Sequence, residues 1–177
     1  SELEKVVKEV EEALERNNRE NRRVIRRSRE LLKRWREEVE EVVRRLRERA
    51  KKIADDVDKR EVLERLKEMI RRVEEKLERI LEKAERDSRR IEEEIRRLNE
   101  RLKELVERIK RKMDRVTREE EVRKLEEDLR RILEEIDRES DRLVKRIEDL
   151  NRRVAELLKR VEEELEDLAR KVEEEAK

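Results

Sequence analysis

Apolar residues recur at every third or fourth position of this chain, and the rhythm fills three long stretches. The first stripe runs from Leu3 through Val7, Val10 and Leu14 to Leu46, Ala50, Ile53 and Val57. The second begins at Val62, Leu66, Met69 and Val73 and ends at Leu105, Ile109, Met113 and Val116. The third goes from Val122 and Leu125 to Leu165, Leu168 and Val172. The step averages about 3.6 residues, the repeat of the α-helix itself. A strict heptad would average about 3.5 and impose a left-handed supercoil, so nearly straight helices are expected. Doublets such as Leu31/Leu32, Val42/Val43, Ile80/Leu81 and Leu157/Leu158 broaden the stripe. A helix facing two neighbours needs that wider apolar face.

Two interruptions divide the stretches. Ala54-Asp55-Asp56-Val57-Asp58 precedes a pair, Asp58 and Glu61, with the spacing of a capping box. Met113-Asp114-Arg115-Val116 precedes Thr117 and Glu120 at the same spacing. Helices are expected at about 2–56, 59–115 and 118–176, with loops near 57–58 and 116–117. Three equal helices joined by short connections lie antiparallel. The expected fold is therefore all-α: one domain, 1–177, an antiparallel up-down-up three-helix bundle with coiled-coil-like packing, each helix roughly 80 Å long. The run Arg16-Asn17-Asn18-Arg19-Glu20-Asn21 weakens the helix locally, because Asn side chains compete for backbone groups. The apolar rhythm passes through it, so no loop is expected there.

Several stripe positions are polar: Asn17, Asn21, Ser28, Ser88 and Ser140, with Asn18, Asn99 and Asn151 one step beside the stripe. Folding at the two interruptions, each treated as a point, pairs residue n of the first helix with about 115 − n in the second and n + 118 in the third. Asn17 then lies level with Asn99, Asn21 near Ser140, and Ser28 level with Ser88. These positions read as buried polar layers that penalise wrong helix pairings, as a core Asn does in coiled coils. The bland alternative is a set of solvated flank positions.

Composition removes most chemistry. Charged residues are 62% of the chain, and there is no Gly, Pro, Cys, His, Phe or Tyr. High charge with low hydrophobicity also marks disordered chains, but the periodicity argues for a folded one. Without His there is no Glu-x-x-His di-iron motif and no base for Ser28, Ser88 or Ser140. Without Gly there is no phosphate-cradling loop. No catalytic, cofactor-binding or metal-binding residue is expected, and no enzyme activity. Net charge is +1, which is no global mark of a nucleic-acid binder. The stretch 19–36 is locally basic, with Arg22, Arg23, Arg26 and Arg27 at its centre, but no aromatic residue suited to base stacking accompanies it apart from Trp35. It is read as a solvated face, and Trp35 as core filler or an absorbance handle. No apolar run reaches the length of a membrane span, and Ser1-Glu2-Leu3-Glu4-Lys5 lacks the apolar stretch of a signal peptide. The outward positions are almost all Glu, Lys or Arg, so a monomer without partners is expected.

In this combination of composition, capped breaks, 3.6-residue rhythm and Asn/Ser layers, the whole chain resembles computationally designed long three-helix bundles, some of which carry designed hydrogen-bond networks. The resemblance implies high thermal stability, solubility in the cytoplasm of a recombinant host, and use as a rigid scaffold without native activity. The Gly or Pro loop residues usual in that family are missing here. Two other classes stay open: a self-assembling or target-binding module presenting a helix face, and nonspecific nucleic-acid binding through 19–36.

Overall fold

The computed structural model describes residues 2–53 and 59–176. Three helices account for nearly all of them: α1 (Glu2–Ile53), α2 (Arg60–Met113) and α3 (Glu119–Ala176). α1 runs unbroken through the Asn-rich stretch at 16–21. Good helix formers and an amphipathic face outweigh three scattered Asn there. The three helices pack on one another as a three-helix bundle, an all-α fold.

Helix ends are handled without glycine. Among the described residues none takes a positive φ, so no left-handed cap closes α2. Instead the last turn of α2 tightens: Arg115 N–H donates to the Lys112 carbonyl at 3.1 Å and Val116 N–H to that of Met113 at 3.5 Å. Such i to i+3 bonds satisfy carbonyls that a helix end leaves without partners. Lys110, Arg111 and Lys112 sit against the negative end of α2, and Glu119, Glu120 and Glu121 against the positive end of α3. Val122 N–H donates to the Arg118 carbonyl at 3.2 Å, which makes Arg118 the residue flanking α3. Thr117, expected in that place, precedes it and is exposed, as is Glu120. Asp58, the expected cap of α2, lies outside the described residues, as do Val57 and the loop at 57–58. Its expected companion Glu61 is exposed in the first turn of α2.

The chain forms two compact units. One combines Ser1–Arg27 with Ser88–Asp149, the other Ser28–Asp87 with Leu150–Lys177. In the first, Val10, Leu102 and Leu129 are fully buried, one from each helix. There Lys110 pairs with Glu11 at 2.6 Å, while Asn99 meets Asn17, so residue numbers fall along α2 as they rise along α1. The pairs Arg146–Glu94 and Arg101–Glu135 show the same antiparallel sense between α2 and α3.

In the second unit Val39, Leu81, Val161 and Leu165 are fully buried. Arg36 pairs with Glu85 at 2.9 Å and Arg47 with Glu74, so α1 and α2 again run antiparallel. Ser28 bonds Asn151 and Arg49 pairs with Glu173 at 2.6 Å, so α1 and α3 run parallel. Up-down-up topology follows. Next to the first connection Ala50, Leu63 and Leu66 form a small cluster with half-buried Val62 against it.

The buried stripe follows the sequence rhythm with one systematic difference. At several doublets the second residue is buried and the first only half-buried: Leu32 rather than Leu31, Val43 rather than Val42, Ile70 rather than Met69, Leu81 rather than Ile80, Val106 rather than Leu105. Helical side chains lean toward the N-terminus, so a given spot on the core is covered by a residue about one position further along the chain. Trp35 is half-buried, at the edge of the stripe.

Full burial sets the energetic ranking. Leu129→Ala and Leu165→Ala should each lower unfolding free energy by about 2–5 kcal/mol in urea denaturation. Leu157→Ala, at an exposed position, should cost under about 1 kcal/mol. Equal effects at all three would contradict this core.

Candidate functional site

The polar positions of the stripe fall into both units. In the first, Asn17 and Asn21 are buried, Asn18 and Asn99 half-buried. The Asn17 Nδ2 donates to Asn99 Oδ1 at a long 3.5 Å. Asn17 Oδ1, Asn18 Oδ1 and both polar atoms of Asn21 meet no hydrogen-bond partner. Asn21 is only 2% exposed. A buried polar group left unpaired costs about 1–3 kcal/mol. Ser140, expected beside Asn21, is half-buried and not bonded to it. Ser88 is buried in the same unit.

In the second unit the Ser28 hydroxyl, 1% exposed, donates to Asn151 Oδ1 at 2.9 Å. This bond joins α1 to α3. It connects residues 123 apart, five more than the offset of 118 expected from the sequence, or about 1.4 helical turns. Periodicity cannot fix that stagger. Sliding one helix along another by a turn returns nearly the same stripe to the same neighbours.

The sequence reading did not single out a repeated surface arrangement. The pattern Glu-x-x-Arg-Arg-x-x-Glu occurs at 41–48, 68–75, 93–100 and 127–134, and at the first three it forms one and the same set of ion pairs. At those three the first Arg bridges both Glu: Arg44 to Glu41 at 2.6 Å and Glu48 at 3.5 Å, Arg71 to Glu68 at 2.7 Å and Glu75 at 3.4 Å, Arg96 to Glu93 at 2.5 Å and Glu100 at 3.3 Å. Each time the second Arg turns Nε toward the first Glu, at 3.3–3.5 Å. The i, i+3 and i, i+4 spacing puts these groups on one helix face. The signal was present as spacing, but 62% charged residues bury it among chance pairs.

These cassettes hold the carboxyls of Glu41, Glu68 and Glu93 below the ordinary value of 4.5, first through the hydrogen bond from the Arg three residues on. The partner guanidiniums Arg44, Arg71 and Arg96 are shifted upward. Lys110 is raised above 10.5, first through its bond to Glu11. All of these groups lie at the surface, where such pairs contribute little each.

Other surface features offer less. A recess of about 330 Å³ lies beside Asn18 and Asn99, with Glu11, Lys103 and Glu107 on its walls. Among the described residues no cluster of His, Cys, Asp or Glu is arranged to hold a metal ion, and no helix is long and apolar enough to cross a membrane. The arrangement can hold helices in place. No protein-family model matches the chain, and no curated protein or solved structure matches it either.

The shifted carboxyls have a testable consequence. Because their folded values lie below the unfolded ones, their stabilisation is complete above the ordinary carboxylate range and is lost as pH falls through the folded values. The triple variant Glu41→Gln, Glu68→Gln, Glu93→Gln should therefore lose less of its urea midpoint than the parent as pH drops from about 5 to about 2. Salt should shrink the difference. Identical acid limbs would show that the cassettes contribute nothing.

Proposed function

We propose that this chain is a de novo designed structural scaffold, a single-chain bundle without catalytic or cofactor chemistry, in which polar layers select the helix register. The observation that carries the reading is the threefold recurrence of one ion-pair cassette, with the same atoms paired each time on α1 and α2. A surface written to a formula serves the helices that bear it rather than a ligand. The lack of any matching family supports the same reading. So does the Ser28–Asn151 bond, which gives the pairing of α1 with α3 a polar specification.

A self-associating module is the main competing class. Against it, Leu157 is the exposed large hydrophobic residue among those described, too little apolar surface for a stable interface. Nucleic-acid binding through 19–36 is weaker still, since Arg36 within it is already tied to Glu78 and Glu85.

Solution mass decides between the first two. The scaffold reading expects a monomer of 22.1 kDa across micromolar to millimolar concentration, with helical circular dichroism retained on heating. A concentration-dependent dimer or trimer would replace it with the association module. A mobility shift of DNA or RNA at low salt would favour the third reading.

A further inference from the structure

Within the second unit, α2 and α3 leave a recess of about 250 Å³ between them. Its origin is a small side chain on a large-residue stripe. Leu77 and Leu81 fill the preceding buried positions of α2, and Ala84 follows them, 2% exposed, at the base of the recess. The missing bulk leaves space between Ile80 on one side and Val154 and Leu157 on the other. Leu157 stays 39% exposed on the rim. The intra-chain packing described above does not use this apolar surface.

The charges around it are unbalanced. Arg79, Lys83 and Arg153 line the recess against a single carboxylate, Asp87. Some cations on these helices are engaged, such as Arg71 and Arg96 in their cassettes and Lys76 on Glu164 at 2.7 Å. Here the Arg79 Nε donates to a backbone carbonyl, that of Glu75, at 3.4 Å. An apolar slot closed at its base and rimmed by three cations matches one ligand chemistry: an aliphatic chain ending in an anion.

We propose that this recess is a binding site for a medium-length alkyl carboxylate. The chain lies over Ala84 between Ile80, Val154 and Leu157, and the carboxylate sits among Arg79, Lys83 and Arg153. The inference goes beyond the scaffold reading and does not depend on it. A protein built only to hold its shape can still carry an unfilled slot.

The test is calorimetric titration of the full chain with sodium decanoate, below its micelle concentration and at low salt. A saturable one-to-one isotherm is expected. Octanoate should bind about fifteenfold more weakly, since it lacks two methylenes and each buried one is worth roughly fourfold in affinity. Decyltrimethylammonium, with the same chain and the opposite charge, should not saturate. Ala84→Leu fills the slot and should abolish binding. Should that variant lose helix content, the exposed pair Lys83→Glu with Arg153→Glu tests the same site, and should weaken decanoate several-fold while leaving the fold intact. Absence of a saturable isotherm overturns the proposal. So does equal binding of the cationic amphiphile, or unchanged affinity in the folded variants. Rising solution mass without ligand, quenched by Leu157→Glu, would assign the slot to a second copy of the chain instead.

Discussion

The structure depends on one constraint: each helix must bury a single aliphatic stripe against two others. Val10, Leu102 and Leu129 meet that demand in one unit, Leu81, Val161 and Leu165 in the other. Burial of such side chains is worth about 1.5–3 kcal/mol each, against conformational entropy of similar total size. Nothing else in the chain has comparable weight. The ion pairs are exposed and screened, no disulfide or metal motif is present in the sequence, and the connections contain no glycine or proline to stiffen or shape them.

The same constraint creates an ambiguity. A stripe repeating every turn packs nearly as well after a slip of one turn, so aliphatic burial by itself does not choose the register. In the proposed reading the polar positions break that degeneracy. Ser28 finds Asn151 at 2.9 Å, whereas Asn21 finds no partner for either polar atom. The first pairing is close to neutral in stability and specific in position. An unpaired buried amide costs about 1–3 kcal/mol, so Asn21 is expected to subtract from stability. Polar layers of this kind trade free energy for uniqueness.

That contrast also explains what could be read from the sequence. The helices, their order and most of the buried stripe follow from periodicity and from the two interruptions. These are local signals, repeated over dozens of residues. At several doublets of α1 and α2 the residue the stripe favoured was not the more buried one, as Leu81 over Ile80 illustrates, whereas in α3 Ile132 and Leu158 are buried as expected. The partner of Ser28 was missed because stagger is a relation between helices, invisible to a repeat that looks the same every turn. Asn17 and Asn99 could be brought together by folding arithmetic, since neighbouring antiparallel helices share a connection that limits their slip. α1 and α3 share none. The Leu157 slot was invisible for a similar reason: it reflects which residue faces Ala84 across a helix pair.

The central claim is that aliphatic burial supplies the stability while the buried polar residues subtract from it and add register. The most direct test replaces them together: Asn17→Leu, Asn21→Leu, Ser28→Ala and Ser88→Ala in one chain, followed by urea denaturation and amide NMR. A higher unfolding midpoint is predicted, with the unpaired Asn21 alone accounting for about 1–3 kcal/mol. Its amide spectrum should broaden or split into more than one set of resonances as competing registers become populated. A lower midpoint with a single sharp set of resonances would contradict the account.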